Sequence, residues 1–304
     1  MWDWNVAVFC RNERWSIVRC IESIADARGD RRTLVTLIVN GSTDDSATQA
    51  VAAARRLGIP LSLYTIAFGD KANAINQFYY TLREVARFYF FVDAYAKIGP
   101  RALAAMETCL ATRPDAVAAT GVAVNGRTMV HHIEATLHHG ARFHGQLHAL
   151  RPGFIDRLVA RGIRIPLGLY YGDGLIGSMA MHDLDPVNIA WDQTRIAGSP
   201  DASYEIPMLS PFRPRDLRRQ FQRKVRQMKG RLENLAIRGI VYDHGYEGLP
   251  EYADDMVRAY LTERGRPSTP LLDRPFQTLA IRQIQDARHP SPDALRPVLT
   301  EQLR

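Results

Sequence analysis

Cysteine is scarce in this sequence, which has only Cys10, Cys20 and Cys109 among 304 residues. An odd number of cysteines, at spacings that match neither a metal site nor a C-x-x-C pair, argues against a disulfide framework and indicates a reducing compartment. The chain also lacks any run near the roughly 20 apolar residues that a membrane-spanning helix needs. Residues 2–5 (WDWN) interrupt the N-terminus before a secretory signal could form. We therefore expect a cytosolic protein.

The composition is that of a globular protein with an excess of positive charge. Hydrophobic residues make up 46% and charged residues 23% of the chain, and the net charge is +7. A chain of this length can form one large α/β domain with an appended segment. The charge predicts an acidic partner, which leaves phosphate, nucleic acid and an anionic membrane as alternatives.

The first hundred residues alternate between strand and helix patterns. Four short apolar runs, at residues 4–10, 33–39, 61–66 and 88–92, are typical of strands buried on both faces. The apolar positions at helical spacing between them are Ile17, Ile21 and Ile24, then Ala47, Ala50, Ala54 and Leu57, then Ile75, Tyr79, Leu82 and Ala86. Asp70 is placed to cap the third helix. These units predict a mixed, mostly parallel α/β sheet flanked by helices.

The pattern changes in the second half of the chain. Residues 115–124 predict one further strand. A long amphipathic helix is expected near residues 212–235. Its predicted apolar stripe is Phe212, Leu217, Phe221, Val225, Met228, Leu232 and Leu235. From about residue 264 the chain is rich in Pro and Arg, and we expect an irregular C-terminal extension.

Each early strand of the predicted sheet ends in a cluster of polar residues. The clusters are residues 11–13, 40–45 and 69–71, and Asp93 follows the fourth strand. Ligands of open parallel sheets bind beyond the carboxyl ends of the strands. We therefore expect these clusters to meet at one rim of the sheet.

Six segments carry a resemblance to a known family. They are VNGSTDDS (39–46), GDKANAINQ (69–77), FVDAYAKIGPRAL (91–103), GQLHALR (145–151), YGDGL (171–175) and QFQRKVRQMKG (220–230). In this order and spacing they resemble motifs of the family 2 glycosyltransferases, which are inverting enzymes with the GT-A fold. The likeness covers roughly residues 5–235, and the DxD-like segment is degenerate.

The resemblance implies an organisation and a function. Residues 1–124 would form the nucleotide-sugar-binding half of a GT-A domain and residues 125–210 the acceptor-binding and catalytic half. Residues 211–304 would form a basic amphipathic helix and a C-terminal extension. The implied activity is a hexosyltransferase-type transfer from a nucleoside diphosphate sugar to a hydroxyl. The hydroxyl would belong to a glycan, a lipid-linked intermediate or a natural product.

The resemblance also implies donor-binding residues. Glu13, Asn40 and Asp93 are the candidates for contacts with the base and ribose. Asn40 stands where the family commonly has an acid, and its amide can still accept from a pyrimidine N–H, so a UDP-sugar is the default expectation. Lys71 opens the third helix, next to a positive helix N-terminus that favours a phosphate or a carboxylate partner.

Asp173 is the candidate general base, because an inverting transfer needs a carboxylate on the acceptor side of the anomeric carbon. It lies in a turn flanked by glycines, and Gly172 stands where the family often has a second acid. Asp183 and Asp185 are rival candidates in an equally polar loop.

Tyr95 occupies the second acidic position of the family's metal-binding motif. A phenol is a poor ligand for Mg²⁺ or Mn²⁺, so any metal would be held through Asp93 with phosphate oxygens and water. Alternatively, positive side chains such as Arg223 and Arg226 stabilise the leaving group, because charge rather than a metal is what the reaction requires. Both alternatives place Tyr95 against the diphosphate.

The predicted long helix is strongly basic. Its cations are Arg213, Arg215, Arg218, Arg219, Arg223, Lys224, Arg226, Lys229 and Arg231, with Asp216 and Glu233 as the acids nearby. A solvated face, a contact of residues 213–231 with an anionic membrane or lipid-diphosphate acceptor, and diphosphate binding are alternatives. Nucleic acid is not expected, since aromatic residues are not interleaved with the cations.

A histidine-rich segment raises the question of a metal. It contains His131, His132, His138, His139, His144 and His148. No known zinc spacing accompanies them, so packing or surface roles are the main interpretation, with His144 or His148 in reach of an acceptor.

Two other functions stay open: a GT-A-like scaffold without activity, and a nucleotidyltransferase, although the segment FCRNERW (9–15) lacks the glycine-rich loop of that class.

Overall fold

One nine-stranded sheet forms the centre of the structure, which is a computed structural model. It describes residues 1–125, 143–207 and 214–304, and for residues 214–219 it describes the backbone alone. The strands are β1 (Trp2–Cys10), β2 (Thr33–Asn40), β3 (Leu61–Ile66), β4 (Ala86–Asp93), β5 (Lys97–Ile98), β6 (Ala118–Ala123), β7 (Leu147–Leu150), β8 (Ile196–Glu205) and β9 (Val298–Leu303). The helices are α1 (Ile17–Ala27), α2 (Ser46–Leu57), α3 (Lys71–Gln77), α4 (Ala102–Thr112), α5 (Pro152–Ala160), α6 (Gly172–Met181), α7 (Pro214–His244), α8 (Ala253–Arg264), α9 (Arg274–Asp286) and α10 (Pro292–Leu295). The strand order is β5-β8-β6-β7-β4-β1-β2-β3-β9.

The four predicted strands form the parallel centre of the sheet. Strand β1 lies between β4 and β2, with Val6 opposite Val35 on one side and Phe90 on the other, and β3 continues the parallel pairing beyond β2. The mixed α/β architecture is confirmed. Strand β7 runs antiparallel to β4, and it brings residues 145–146 next to the end of β4.

Helices cover both faces of the sheet because side chains of a strand alternate between the faces. In β1, Val6 and Val8 pack in the core under α1, α2 and α4. Ala7 and Phe9 pack in the other core, which α5, α6, α7, α8 and α9 complete. The continuous apolar runs of the sequence therefore correspond to strands buried on both faces.

Two expectations about helices need correction. The third predicted helix is short: α3 ends at Gln77, residues 78–82 form a π-helical turn, and Ala86 belongs to β4. The long helix α7 extends to His244, and Phe221 and Leu235 on its predicted apolar stripe are 52% and 38% exposed. Val225, Met228 and Leu232 of the same stripe are buried, as predicted. Phe212 and the side chain of Leu217 lie outside the described part of the chain.

The C-terminal extension is ordered, which contradicts the expectation of an irregular tail. It contains α9, which packs against α7, and the edge strand β9, which pairs antiparallel with β3. Strand β9 has no clear signal in the sequence, because half-exposed edge strands lack a continuous apolar run and its partner is more than two hundred residues away.

All three cysteines are free. Within the described ranges, no helix combines the length and the apolar character needed to cross a membrane.

Candidate functional site

The loops after β1 and β2 are joined by hydrogen bonds at the carboxyl edge of the sheet. The backbone N–H of Asn12 donates to Ser42 Oγ at 3.0 Å, and Asn12 Oδ1 accepts the N–H of Thr43 at 2.8 Å. The N–H of Arg14 donates to a carboxylate oxygen of Asp44 at 3.2 Å. The predicted meeting of these two polar clusters is therefore present.

The loop after β3 joins the same edge through two glycines. Gly41 has φ of +63°, and a Cβ there would lie 2.5 Å from backbone atoms of Gly69. Arg11 closes the contact by donating from Nη1 to the carbonyl of Gly69 at 3.0 Å. Only glycine permits this approach of the two loops.

Two of the predicted donor-binding residues lie on this rim. Glu13 is half-buried, and its N–H donates to Ser46 Oγ at 2.9 Å. Asn40 is buried at the end of β2 and donates from Nδ2 to the carbonyl of Cys10 at 3.2 Å. The amide nitrogen of Asn40 is thus engaged in holding β1 to β2, and its oxygen is the atom available for a base.

Lys71 and Asp93 form an ion pair. The ammonium Nζ of Lys71 contacts Oδ1 of Asp93 directly. The carboxylate is buried, with 7% of its side chain exposed, whereas 43% of the lysine side chain is exposed. Lys71 therefore connects a buried anion to the solvent-facing side of the rim.

Asp70 caps α3, as the sequence predicted. Its Oδ1 accepts the N–H groups of Ala72 and Asn73 at 2.8 and 3.3 Å, and its Oδ2 accepts the N–H of Gly168 at 2.6 Å. Burial raises the pKa of Asp70, although these N–H groups and Lys229 oppose the shift. Because Asp70 already uses these N–H groups of α3, a phosphate at this place would depend on the ammonium of Lys71.

Tyr95 is a half-buried phenol next to the side chains of Asp93 and Gln146. Burial, followed by the charge of Asp93, raises its pKa well above the ordinary value, so it stays neutral. The hydroxyl of Tyr204 donates to Oε1 of the same Gln146 at 3.1 Å. Burial and then the charges of Asp93 and Asp173 raise the pKa of Tyr204, which places both carboxylates within electrostatic reach of one hydroxyl.

Asp173 is the second residue of α6 and lies against Gly145. A Cβ on Gly145 would be 2.6 Å from the Cβ of Asp173. The next residue, Gln146, accepts the backbone N–H of Asp93 at 3.1 Å through its carbonyl. Asp93 and Asp173 therefore lie next to two consecutive residues, Asp93 beside Gln146 and Asp173 beside Gly145.

The rival carboxylates are held by more partners than Asp173, whose Oδ1 accepts the N–H of Gly174 at 2.9 Å. Asp183 pairs with Arg157 at 2.6 Å and with Arg195 at 3.3 Å. Asp185 accepts from the N–H and the side-chain amide of Asn188 at 3.1 and 3.0 Å, and these hydrogen bonds lower its pKa. Both residues hold their own loop together, so the geometry favours Asp173.

One side of α7 packs against the turn that leads into α6. A Cβ on Gly230 would lie 2.3 Å from the ring of Tyr171, and the guanidinium of Arg226 lies 5.8 Å from the ring centre of Tyr170. Burial raises the pKa of Tyr171, and Arg223 is close enough for its positive charge to oppose this change. Arg223 and Arg226 therefore lie beside the turn before Asp173, and no described contact joins them to Asp93.

Glu233 is a site residue that the sequence patterns did not indicate. It is fully buried, and its Oε2 accepts the N–H of Tyr170 at 2.9 Å. Burial raises its pKa to about 7, against the opposing charge of Lys229, whose Nζ is 3.9 Å away. The only signal in the sequence was an isolated acid four residues after a lysine. We name Arg223, Arg226, Gly230 and Glu233 the inner side of α7.

His148 is buried beside this site. Its ring stacks on Phe91 with centres 4.7 Å apart and lies 4.5 Å from the ring of Phe143. Burial and the charge of Lys71 lower its pKa to about 3, so the imidazole is neutral. Neither ring nitrogen has a hydrogen bond of normal geometry to a described residue. The backbone of His144 lies close enough to oppose part of the lowering of the His148 pKa. The other candidate histidines, at 131, 132, 138 and 139, lie outside the described residues.

The donor set around Asp93 does not fit a divalent cation held by the protein. At the end of β4 the described residues offer one carboxylate, that of Asp93; Lys71 already occupies its Oδ1, and Tyr95 is a neutral phenol. Across the described ranges, no group of three or more His, Cys, Asp or Glu side chains could hold a metal. A dication would have to displace an ammonium from the one anionic ligand, so no step below passes through a metal.

Comparisons with known proteins bear on the fold. No protein-family model and no curated protein matches the sequence. Solved structures do match. A mannosyltransferase of Pyrobaculum calidifontis, PcManGT, in complex with GDP-Man and Mn²⁺, superposes with a TM-score of 0.59 over 93% of this chain and 80% of its own, at 19% identity. The chain has the GT-A fold.

Two bacterial structures agree with this assignment. TarS residues 1–349 of S. aureus has a TM-score of 0.54 at 14% identity, covering 93% of this chain and 80% of its own. Glucosyl-3-phosphoglycerate synthase of Mycobacterium tuberculosis has a TM-score of 0.52 at 15% identity, covering 76% and 78%. At these identities the likeness establishes the architecture that the motifs implied.

Proposed function

We propose that this protein is an inverting glycosyltransferase that moves a hexosyl group from a nucleoside diphosphate sugar to a hydroxyl. One observation carries the proposal. On a GT-A sheet, the paired Asp93 and Lys71 lie next to Gln146, and the more exposed Asp173 lies next to the preceding residue, Gly145. This arrangement supplies a cation for a leaving group next to a carboxylate for an acceptor.

The donor would bind over residues 1–124. Glu13 and the oxygen of Asn40 are the proposed contacts for base and ribose, and Lys71 is the proposed contact for the diphosphate. Structural neighbours support this class of donor, since one is in complex with GDP-Man and another with UDP-GlcNAc. UDP is the starting expectation, and the base has to be measured.

The leaving group would be stabilised by cations of the protein. Departure of a nucleoside diphosphate leaves negative charge on its terminal phosphate, and a preorganised ammonium stabilises that charge without rearrangement. Lys71 is exposed enough to turn from Asp93 to a phosphate, and Tyr95 can then donate its hydrogen bond to Asp93. Arg223 and Arg226 add positive potential from the inner side of α7.

The chemical step would be a single displacement. The acceptor oxygen attacks the anomeric carbon, the new C–O bond forms as the bond to the diphosphate oxygen breaks, and the leaving oxygen keeps the electron pair. Asp173 takes the proton of the acceptor hydroxyl. General-base assistance of this kind contributes typically about 10²–10⁴-fold in rate.

The acceptor would bind over residues 125–210. A glycan, a lipid-linked intermediate and a natural product all present the hydroxyl that this site requires. Residues 126–142 belong to this segment and lie outside the described residues. The enzyme would act in the cytoplasm, and contact with the inner face of a membrane is considered below.

Asp173→Asn tests the proposal against the matched variant Asp185→Asn. We expect Asp173→Asn to lower transfer and donor hydrolysis at least about 100-fold while nucleotide binding is kept, and Asp185→Asn to leave both unchanged. Retained activity in Asp173→Asn would contradict the assignment of the base.

Wild-type protein that binds nucleotide and shows no hydrolysis with any donor would support the scaffold alternative. Pyrophosphate exchange would support the nucleotidyltransferase.

A further inference from the structure

Two adjacent leucines project from the C-terminal extension. Leu271 and Leu272 are 73% and 86% exposed in a 3₁₀ turn that ends at Asp273. The turn is fixed on both sides, because the N–H of Asp273 donates to the carbonyl of Pro270 at 2.9 Å and its carboxylate pairs with Arg231 at 3.3 Å. The leucines are thus held outward by a folded support.

A third exposed apolar side chain lies nearby. Phe221 of α7 is 52% exposed, and its ring centre is 5.4 Å from that of Phe276. Phe276 is in the first turn of α9, which begins directly after the leucine turn. Phe221 therefore contacts α9 four residues after Leu272, on the side of α7 that packs against α9.

Three cations that lie close in the sequence to these apolar side chains have no acidic partner among the described residues. Lys224, Arg266 and Arg274 are exposed, and none has an ion pair with another described residue. Lys224 shares a helix face with Phe221 and Met228, because residues three and four apart are neighbours on a helix. Asp273 is the only acid between residues 265 and 285, and it is already paired. We name Phe221, Lys224, Arg266, Leu271, Leu272 and Arg274 the outer surface.

We propose that the outer surface docks on an anionic lipid membrane, with Leu271 and Leu272 entering the headgroup region and the three cations contacting lipid phosphates. Isolated apolar side chains that project among cations fit the boundary between headgroups and acyl chains, where both kinds of group are stabilised. A protein partner would instead favour a broad packed patch with few charges at its centre. The outer surface does not include Arg223 or Arg226, so docking leaves the inner side of α7 available to the donor.

Vesicle co-sedimentation tests this proposal without substrate. The vesicles contain either equal parts of phosphatidylcholine and phosphatidylglycerol, or phosphatidylcholine alone. We expect wild-type protein to bind the anionic vesicles at least about tenfold more tightly than the neutral ones, with affinity falling as salt screens the cations. The double variant Leu271→Ser, Leu272→Ser and the triple variant Lys224→Gln, Arg266→Gln, Arg274→Gln should each lose most of this binding.

A matched control uses another exposed apolar pair. Val298→Ser with Leu299→Ser removes side chains of 61% and 49% exposure from the edge strand β9 and should leave vesicle binding unchanged. Calorimetric nucleotide binding by every variant checks that the fold is kept and is independent of the vesicle result. Equal binding to both vesicle types, no binding, or a leucine variant that binds like wild type would overturn the proposal.

Discussion

The two sides of α7 contain similar cations in different surroundings. On the inner side, Arg226 lies over Tyr170, Gly230 leaves room for a tyrosine ring, and Glu233 is buried against a backbone N–H. On the opposite side, Lys224 is exposed beside Phe221, with no described acid near it. A count of charges along the helix cannot separate these roles, because the residues packed against each side determine what its cations do.

The largest expected effect comes from removing Glu233. Glu233→Ala leaves the N–H of Tyr170 without an acceptor and removes a partner of Lys229, so we expect the free energy of unfolding to fall by about 3 kcal/mol. Transfer activity should fall as well, because the turn before Asp173 loses its support. Denaturant unfolding and initial rates measure both effects. Asn234→Ala is the control, since Asn234 is the exposed neighbour; equal effects would remove the distinction between the sides.

The pH dependence of stability gives a second test at the same residue. Burial raises the pKa of Glu233 from 4.5 to about 7, so the folded state holds this proton more tightly than the unfolded chain. The stabilising contribution is full below pH 4.5 and is lost as the pH rises to about 7, on the order of 3 kcal/mol in total. Glu233→Gln does not titrate. Its stability relative to wild type should therefore rise between these pH values, and a constant difference would contradict the account.

Two glycines of α7 provide a matched pair. A Cβ on Gly230 would meet the ring of Tyr171, whereas a Cβ on Gly239 would meet no atom within 4 Å. We expect Gly230→Ala to destabilise the protein by about 1–3 kcal/mol through overpacking. Gly239→Ala should stabilise it by up to about 1 kcal/mol through helix propensity. Thermal unfolding of both variants measures the two effects, and a Gly230→Ala variant as stable as wild type or more stable would show that the inner side is not tightly packed.

The smallest expected effect concerns the cations themselves. Arg226→Gln should weaken nucleoside diphosphate binding by about threefold to tenfold, roughly 1 kcal/mol, because its charge acts from beside the site. Lys224→Gln, on the other side of the helix, should leave that affinity unchanged. Calorimetric titration compares the two, and an equal loss in both would mean that only the net charge matters.

Local patterns of the sequence predicted the features that depend on local physics. Buried parallel strands, the Asp70 cap and the polar ends of the strands all follow from nearby residues, and the structure contains them. The motif resemblance singled out Asp173 and Asp93, whose roles stay predictions, but it did not show that Lys71 pairs with Asp93. Strand β9 and Glu233 depend on partners far along the chain, so no periodicity or spacing identified them.

The ion pair of Lys71 and Asp93 is the centre of the account, and calorimetry of nucleotide binding tests it most directly. UDP, GDP, dTDP and CMP would be titrated with Mn²⁺, with Mg²⁺ and with EDTA into wild type, Lys71→Met and the control Lys97→Met. We predict that one nucleotide binds at micromolar affinity and loses less than about tenfold on chelation, about 1.4 kcal/mol. Lys71→Met should lose more than about tenfold, and Lys97→Met should not. A large loss on chelation with normal binding by Lys71→Met would contradict the account and mean that Asp93 recruits a metal despite Tyr95.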